Sequence, residues 1–310
     1  MGRARVQLRT RRVVAGPPAR RVGGDRPPRG VRAGARGGAR TAVSVPVERW
    51  EACGNVYLLV AREAVGRPLT ADDAIALCDV VDGLGSDGVL ELLPGAGHVD
   101  VAMVIWNPDG STTEACGNGT RMVARWAAAR SGADRVIVGT EAGPLHCDIA
   151  GEQVRAELSR ARLEGHQYRP DDVPFPHPHR FVSIGNPHVV IPVADVDGFP
   201  LEYEGPALEH HPWFPERTNV EVMAPVDAHR VRVRVWERGV GETAACGSGA
   251  CAVAVAAIAD GIAESPVTVE LPGGELVVEV GEEGEVALTG PARHVETIVL
   301  DADLRRSTTG

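Results

Sequence analysis

Two segments of this chain repeat each other, and the repeat limits the folds open to it more than any other feature. Glu114-Ala-Cys-Gly-Asn-Gly-Thr120 leads into Arg121–Arg130, and Ala244-Ala-Cys-Gly-Ser-Gly-Ala250 leads into Cys251–Ala259. Both put Ala-Cys-Gly-x-Gly at the mouth of a helix, with the two cysteines 130 positions apart. Ala252–Ile258 is apolar on every side, which requires a helix enclosed by other structure. A repeat at this distance implies a duplicated unit in which strands wrap one central helix, twice. The expected class is α/β (α+β), with two pseudo-symmetric domains, each a strand-rich sheet around a central helix.

The rest of the pattern fits short strands separated by turns. Val56–Val60, Val89–Leu93, Val101–Trp106, Val136–Val138, Gln153–Leu158, Phe181–Ile184 and Val189–Val193 read as strands. Thr70–Val81 reads as a helix capped by Thr70, with acids in its first turn. Arg230–Trp236 alternates Arg and Val strictly, so one face is wet and the other buried. Pro266–Leu271, Glu275–Val280 and Val286–Leu288 complete a strand-rich second half. The predicted organisation is a disordered extension over 1–44, a first half from 45–160 plus 292–310, and a second half over 161–291.

Composition excludes several functions. All 32 basic residues are Arg. Without Lys there is no Schiff base for pyridoxal phosphate, no P-loop Lys and no kinase strand Lys. Residues 1–40 carry twelve Arg against Asp25 alone, while the remaining 270 residues carry a net charge of −21. An acidic body argues against nucleic acid as the main partner. The Arg-, Gly- and Pro-rich leader lacks an apolar face and is expected to stay solvated. No apolar run approaches a membrane-spanning length. Six Cys without a CxxC pair point to reduced thiols in a cytoplasm.

Cys116 and Cys246 are the candidates for chemistry. A thiol at a helix N-terminus meets unpaired backbone N–H groups and the positive end of the helix dipole, which lowers its pKa. If the halves pack about a pseudo-twofold axis, the mouths face each other and the two thiols bracket one small anionic ligand. One thiolate can then take a proton from carbon while the other thiol delivers one to the opposite face, which is an epimerisation. Two buried Cys in glycine-rich turns would explain either motif alone, and the repetition argues against that. Asn55, Asn107, Asn186 and Asn219 each fall at a strand end or turn. Any single one suits a self-capping role. Glu237-Arg238 follows the alternating strand, and an Arg beside a cleft offers a bidentate fork for a carboxylate.

Together these stretches carry a family resemblance. Asn107-Pro-Asp-Gly-Ser-Thr-Thr-Glu-Ala-Cys-Gly-Asn-Gly-Thr-Arg121, Gly185-Asn-Pro-His188, Phe214-Pro-Glu-Arg-Thr-Asn219 and Trp236-Glu-Arg-Gly-Val-Gly-Glu-Thr-Ala-Ala-Cys-Gly-Ser-Gly-Ala-Cys251 resemble the diaminopimelate epimerase family. The match runs from about residue 47 to about residue 300, in order and spacing. The resemblance implies that family's fold and interconversion of LL- and meso-diaminopimelate, for lysine and peptidoglycan, without cofactor or metal. It implies Cys116 and Cys246 as the acid/base pair, with His188 and Glu237 tuning the thiols. Asn55, Asn107, Asn186, Asn219, Glu237 and Arg238 would bind substrate, and Gly117-Asn118 and Gly247-Ser248 would bind the reacting carboxylate through N–H groups. The implied partner is a small amino acid, with a homodimer as the assembly.

The chain departs from the family in three places. Val56-Tyr57 stands where the family often has Asp-Phe, Gly88 where some members have a substrate-binding Gln, and near Glu296 some members carry an aromatic that helps form the dimer. Two rival readings follow: a same-fold racemase or epimerase acting on another amino acid, and a non-catalytic thiol switch. Other signals are weaker. Gly83-Leu-Gly-Ser-Asp-Gly88 spells a dinucleotide fingerprint in the wrong helix–strand order. Asn118-Gly-Thr120 is a sequon beside Cys116. His177, His179, His210 and His211 read as surface histidines, Cys251 as core, and Cys53, Cys78 and Cys147 lack a partner motif.

Overall fold

The computed structural model describes residues 10–13 (backbone only), 44–114, 116–158, 160–163 and 175–300. In the first half, Val45–Ala52 pairs antiparallel with Asn55–Ala61, which runs parallel to Gly88–Pro94. Gly88–Pro94 pairs antiparallel with Val101–Trp106, which carries the short Thr112–Thr113 and runs parallel to Arg135–Thr140. Gly143–Ala150 and Gln153–Glu157 close an antiparallel meander.

The second half repeats this order of pairings. Arg180–Ser183 pairs with Pro187–Pro192, which runs parallel to Asn219–Asp227. Arg230–Glu237 follows antiparallel, carries Gly241–Thr243 and runs parallel to Val267–Leu271. Gly274–Val280 and Val286–Pro291 complete the meander. Val286–Pro291 then pairs with Gln153–Glu157, and Arg293–Leu300 returns to Val45–Ala52, so one continuous sheet serves both halves.

Each parallel step needs a crossover connection, which helices supply. Ala71–Cys78 and Leu201–Glu209 cross outside, over apolar clusters of their own. Gly117–Ser131 and Gly247–Ala259 cross inside, as the two central helices. Gly249–Ala257 is buried without interruption, as the all-apolar pattern requires. Val231, Val233 and Val235 face the second helix from the alternating strand. The intervening arginines pair with surface acids, Arg230 with Glu270 and Glu275 and Arg234 with Glu242.

The registers fix the pseudo-equivalent positions. Tyr57 stands beside Gly88 as His188 stands beside Asn219. Counting along the strands equates Asn55 with Asn186, Leu90 with Glu221, Trp106 with Trp236, and Asn107 with Glu237. Along the helices Asn118 matches Ser248 and Arg121 matches Cys251.

Three expectations are corrected here. The helix expected over Thr70–Val81 spans Ala71–Cys78, with Thr70 and Asp73 in a reciprocal capping box. It stops early because the Asp79 carboxylate accepts the N–H groups of Val81 and Asp82 and turns the chain. Disorder over 1–44 does not hold for Thr10–Val13, which pairs antiparallel with Arg293–Leu300. The open N–H and C=O groups of an edge strand are a ready template for such a segment. Residues 1–9 and 14–43 lie outside the described residues. The histidines 177, 179 and 211 are half-buried rather than surface groups: they pack among Phe175, Phe181, Phe199 and Trp213, and His177 pairs with Glu204.

Candidate active site

The site lies where the two central helices begin. Cys116 is the N-cap of one and Cys246 of the other, both with extended backbone. Each sulfur accepts the N–H three residues on, Gly119 to Cys116 at 3.3 Å and Gly249 to Cys246 at 3.4 Å. An unpaired helix donor is thereby satisfied by a thiol, in the place a Ser or Asp usually takes. The first helical residues, Gly117 and Gly247, touch. A Cβ built on Gly247 would stand 3.3 Å from the Gly117 Cα, so any side chain there would press the mouths apart.

The two sulfurs have unlike surroundings. Cys116 is half-buried, and the Tyr57 hydroxyl lies 3.6 Å from its Sγ. One turn into its helix is Arg121, wholly buried, whose guanidinium donates to the Asn118 side chain and to the carbonyls of Gly117 and Pro291. Cys246 is 6% exposed and lies 3.5 Å from the Ser248 hydroxyl, with Glu237 and Glu221 nearby. The Glu237 carboxylate accepts from Thr243 at 2.5 Å. Burial holds the Glu237 carboxyl above its usual range, while Thr243 and Cys246 pull the other way.

The expected lowering of the thiol pKa values is overturned. Burial, with the Glu237 charge, pushes Cys116 up, outweighing the Gly119 N–H, the Tyr57 hydroxyl and the Arg121 charge, which pull it down. Cys246 is pushed well above its ordinary value by burial and by the charges of Glu237 and Glu221. Desolvation of the anion wins over the helix dipole.

The other expected residues mostly assemble here. Asn55 donates to the Ala245 carbonyl at 2.7 Å, and Asn118 reaches the same oxygen at 3.4 Å, so the first half grips the chain just before Cys246. Asn186 spans to Ser248 at 3.4 Å and bonds His188, whose other ring nitrogen meets Glu221 at 2.7 Å. Asn219 donates to the Pro187 carbonyl and accepts the Arg238 backbone N–H, fixing the loop that carries Arg238. The Arg238 guanidinium is exposed and donates to the Glu216 carbonyl. Asn107 stays within its own turn, donating to the Ser111 hydroxyl at 3.0 Å.

Sequence reasoning passed over Tyr57, Arg121, Glu221 and Thr243. Glu221 had a signal: a carboxylate at an inward position of Asn219–Asp227, now fully buried. Arg121 was taken only as the first residue of a helix pattern, and nothing local marks it as buried. Among the described residues no group of His, Cys, Asp and Glu could hold a metal ion.

Duplicated sheets around two central helices place the protein in a known class of folds. The PhzF-family phenazine biosynthesis protein of Bacillus anthracis matches with a TM-score of 0.62 at 17% identity, covering 83% of this chain and 98% of its own. A hydroxyproline epimerase from Agrobacterium vitis, solved with trans-4-hydroxy-L-proline bound, matches at 0.61 and 15% identity, covering 83% and 91%. Within that class the sequence selects one family. The profile described as diaminopimelate epimerase matches residues 51–163 and 180–295. The diaminopimelate epimerase of Synechococcus elongatus is 39% identical over 268 residues, covering 81% of this chain and 96% of its own length. That of Pelotomaculum thermopropionicum is 39% identical over 263 residues, covering 78% and 94%. The chain belongs to the diaminopimelate epimerase family.

Proposed function

We propose that the protein interconverts LL- and meso-2,6-diaminopimelate by a two-thiol proton transfer that uses no cofactor. The observation that carries this reading is the pair of cysteines capping two helices whose first residues touch. In one direction the Cys116 thiolate takes the α-proton and becomes the thiol. The Cys246 thiol gives its proton to the opposite face of the carbanion and is left as the thiolate. The reverse direction exchanges the roles, and proton exchange with solvent resets the pair. Cys116 is the sulfur better suited to carry the resting charge: Glu237 opposes an anion on both sulfurs, but Glu221 adds to it at Cys246, whereas the Tyr57 hydroxyl and Arg121 favour an anion at Cys116.

The N–H groups at Gly117-Asn118 and Gly247-Ser248 would hold the reacting carboxylate, because helix mouths present unpaired donors to anions. Asn55, Asn107, Asn186, Asn219 and Arg238 would hold the distal amino-acid head. His188, pinned between Asn186 and Glu221, and Glu237, beside Cys246, would set the second sulfur's surroundings. The same reading carries a homodimer in a reducing cytoplasm, where free thiols persist.

The test is incubation of the reduced protein with LL-diaminopimelate in D₂O, following α-deuteration and chiral composition together. Deuterated meso product with no added cofactor is the expected outcome. Inertness towards both isomers would move the assignment to another amino acid on the same fold.

A further inference from the structure

Tyr57 reaches the site from a place where the chain makes room for it. It stands on Asn55–Ala61 beside Gly88 in the parallel register. A Cβ on Gly88 would lie 2.6 Å from Tyr57 Cε1 and 2.7 Å from the Trp106 carbonyl oxygen, closer than real contacts allow. The ring therefore fills space that any side chain at 88 would need. At the end of that ring the hydroxyl lies 3.6 Å from Cys116 Sγ and accepts from the neutral thiol. The equivalent position in the second half behaves differently: His188 spends its ring nitrogens on Asn186 and Glu221.

We propose that Tyr57 is a further catalytic residue: its hydroxyl, which accepts from the neutral Cys116 thiol, turns to donate to Sγ when that sulfur is ionised and steadies the negative charge there, with Gly88 as the position that admits its ring. The proposal rests on the reading of Cys116 as one of the two proton carriers. A hydrogen bond to an ionised acceptor is roughly twice as strong as a neutral one, and burial keeps water from competing for it. Tyr57 does not itself exchange a proton. The Cys116 charge and burial push its phenol well above the usual range, so it remains a donor. The proton taken from carbon goes to sulfur, and the O–H bond of Tyr57 stays intact throughout.

Tyr57→Phe keeps the ring against Gly88 and deletes only the hydroxyl. Ionisation of Cys116 is read in the substrate-free enzyme from its rate of alkylation by iodoacetamide against pH, quantified on the Cys116 peptide by mass spectrometry. In parallel, kcat/KM is measured with LL- and meso-diaminopimelate across the same pH range. The Cys116 midpoint should rise by about one pH unit, leaving about tenfold less thiolate at a given pH. kcat/KM at neutral pH should fall by about the same factor, with its rising limb displaced to match and the Cys246 alkylation profile unmoved. Superimposable Cys116 profiles in wild type and variant would overturn the proposal whatever the activity. A wild type inert to both isomers, with the Cys116 profile still shifted by the variant, would support the Tyr57–Cys116 bond and overturn the proposed substrate instead.

Discussion

At the scale of single residues, the site sets two opposing influences on each sulfur, and their balance decides the pH behaviour. The helix-mouth N–H favours the thiolate, burial opposes it, and burial is the larger effect at both Cys116 and Cys246. A raised pKa means that the thiolate grows in only as pH rises past the ordinary cysteine value of about 8.5. A two-thiol mechanism needs one thiolate and one thiol, so kcat/KM should climb on the alkaline side. It should fall only when Cys246, the more strongly raised of the two, also ionises. A profile of kcat/KM that is flat or declining from neutral to alkaline pH would contradict this ordering. Cys116→Ala and Cys246→Ala should each reduce epimerisation by about 10²–10⁴-fold or more, the usual contribution of a general acid–base group. Folding should survive, because each sulfur satisfies one helix N–H and losing such a cap costs about 1 kcal/mol. Turnover near wild type in either variant would remove that cysteine from the mechanism.

At the scale of elements, the legible parts are those whose sequence pattern is strictly local. The two central helices announce themselves by a repeated mouth and an apolar run, and Arg230–Glu237 by its alternation. Leu201–Glu209 does not, because Gly205 and Pro206 sit inside it. It is helical because the Trp236 ring packs against Gly205, where a Cβ would come within 2.6 Å, and that contact joins positions far apart in sequence. Gly143–Ala150 was passed over although its pattern is local: Leu145, Cys147 and Ile149 alternate with His146 and Asp148, and burial alternates with them. The same distinction holds in the site. Cys116 and Cys246 are readable from spacing, whereas Arg121 and Glu221 matter only through what the folded sheet brings beside them. The closest coupling between elements is the contact of the helix mouths, and Gly247→Ala tests it. The new Cβ would meet Leu288 Cδ2 at 3.1 Å and the Gly117 Cα at 3.3 Å. Leu288 can yield, but the backbone that carries Cys116 moves with Gly117, so the sulfurs separate by a few tenths of an ångström. A misplacement of about 1 Å can cost about 10²-fold, so a loss of roughly tenfold in kcat is expected here. Ala is a better helix former than Gly by about 1 kcal/mol, which should offset much of the strain and leave the melting temperature little changed. A variant with full kcat would show that the mouths tolerate separation.

At the scale of the whole molecule, one topology is used twice with different residues at equivalent positions. Tyr57 answers His188, Gly88 answers Asn219, Leu90 answers Glu221 and Arg121 answers Cys251. The duplication provides two facing helix mouths, and the differences give the two sulfurs unequal electrostatic surroundings. Outside the Ala-Cys-Gly-x-Gly repeat a comparison of the halves by sequence shows little of this, since few equivalent residues are alike, Asn55 with Asn186 and Trp106 with Trp236 among them. Enclosing both helices also buries thiols that take no part in the site. Burial pushes Cys147 and Cys251 up to about 12. In the unfolded chain the same thiols titrate at about 8.5. Below that value both states hold the protons and stability is unaffected. Between there and about 12 the unfolded chain releases protons that the native fold retains, so stability falls as pH rises, by about 1.4 kcal/mol per pH unit for each such thiol. The melting temperature should therefore be level from neutral pH to about 8.5 and then decline. A Cys147→Ala/Cys251→Ala variant should start from a lower melting temperature, since each buried sulfur leaves a small cavity. Its decline above that pH should nonetheless be shallower, because two of the titrating groups are gone. Parallel slopes in the two proteins would mean that these thiols ionise equally in both states, and that both are less tightly enclosed than their burial indicates.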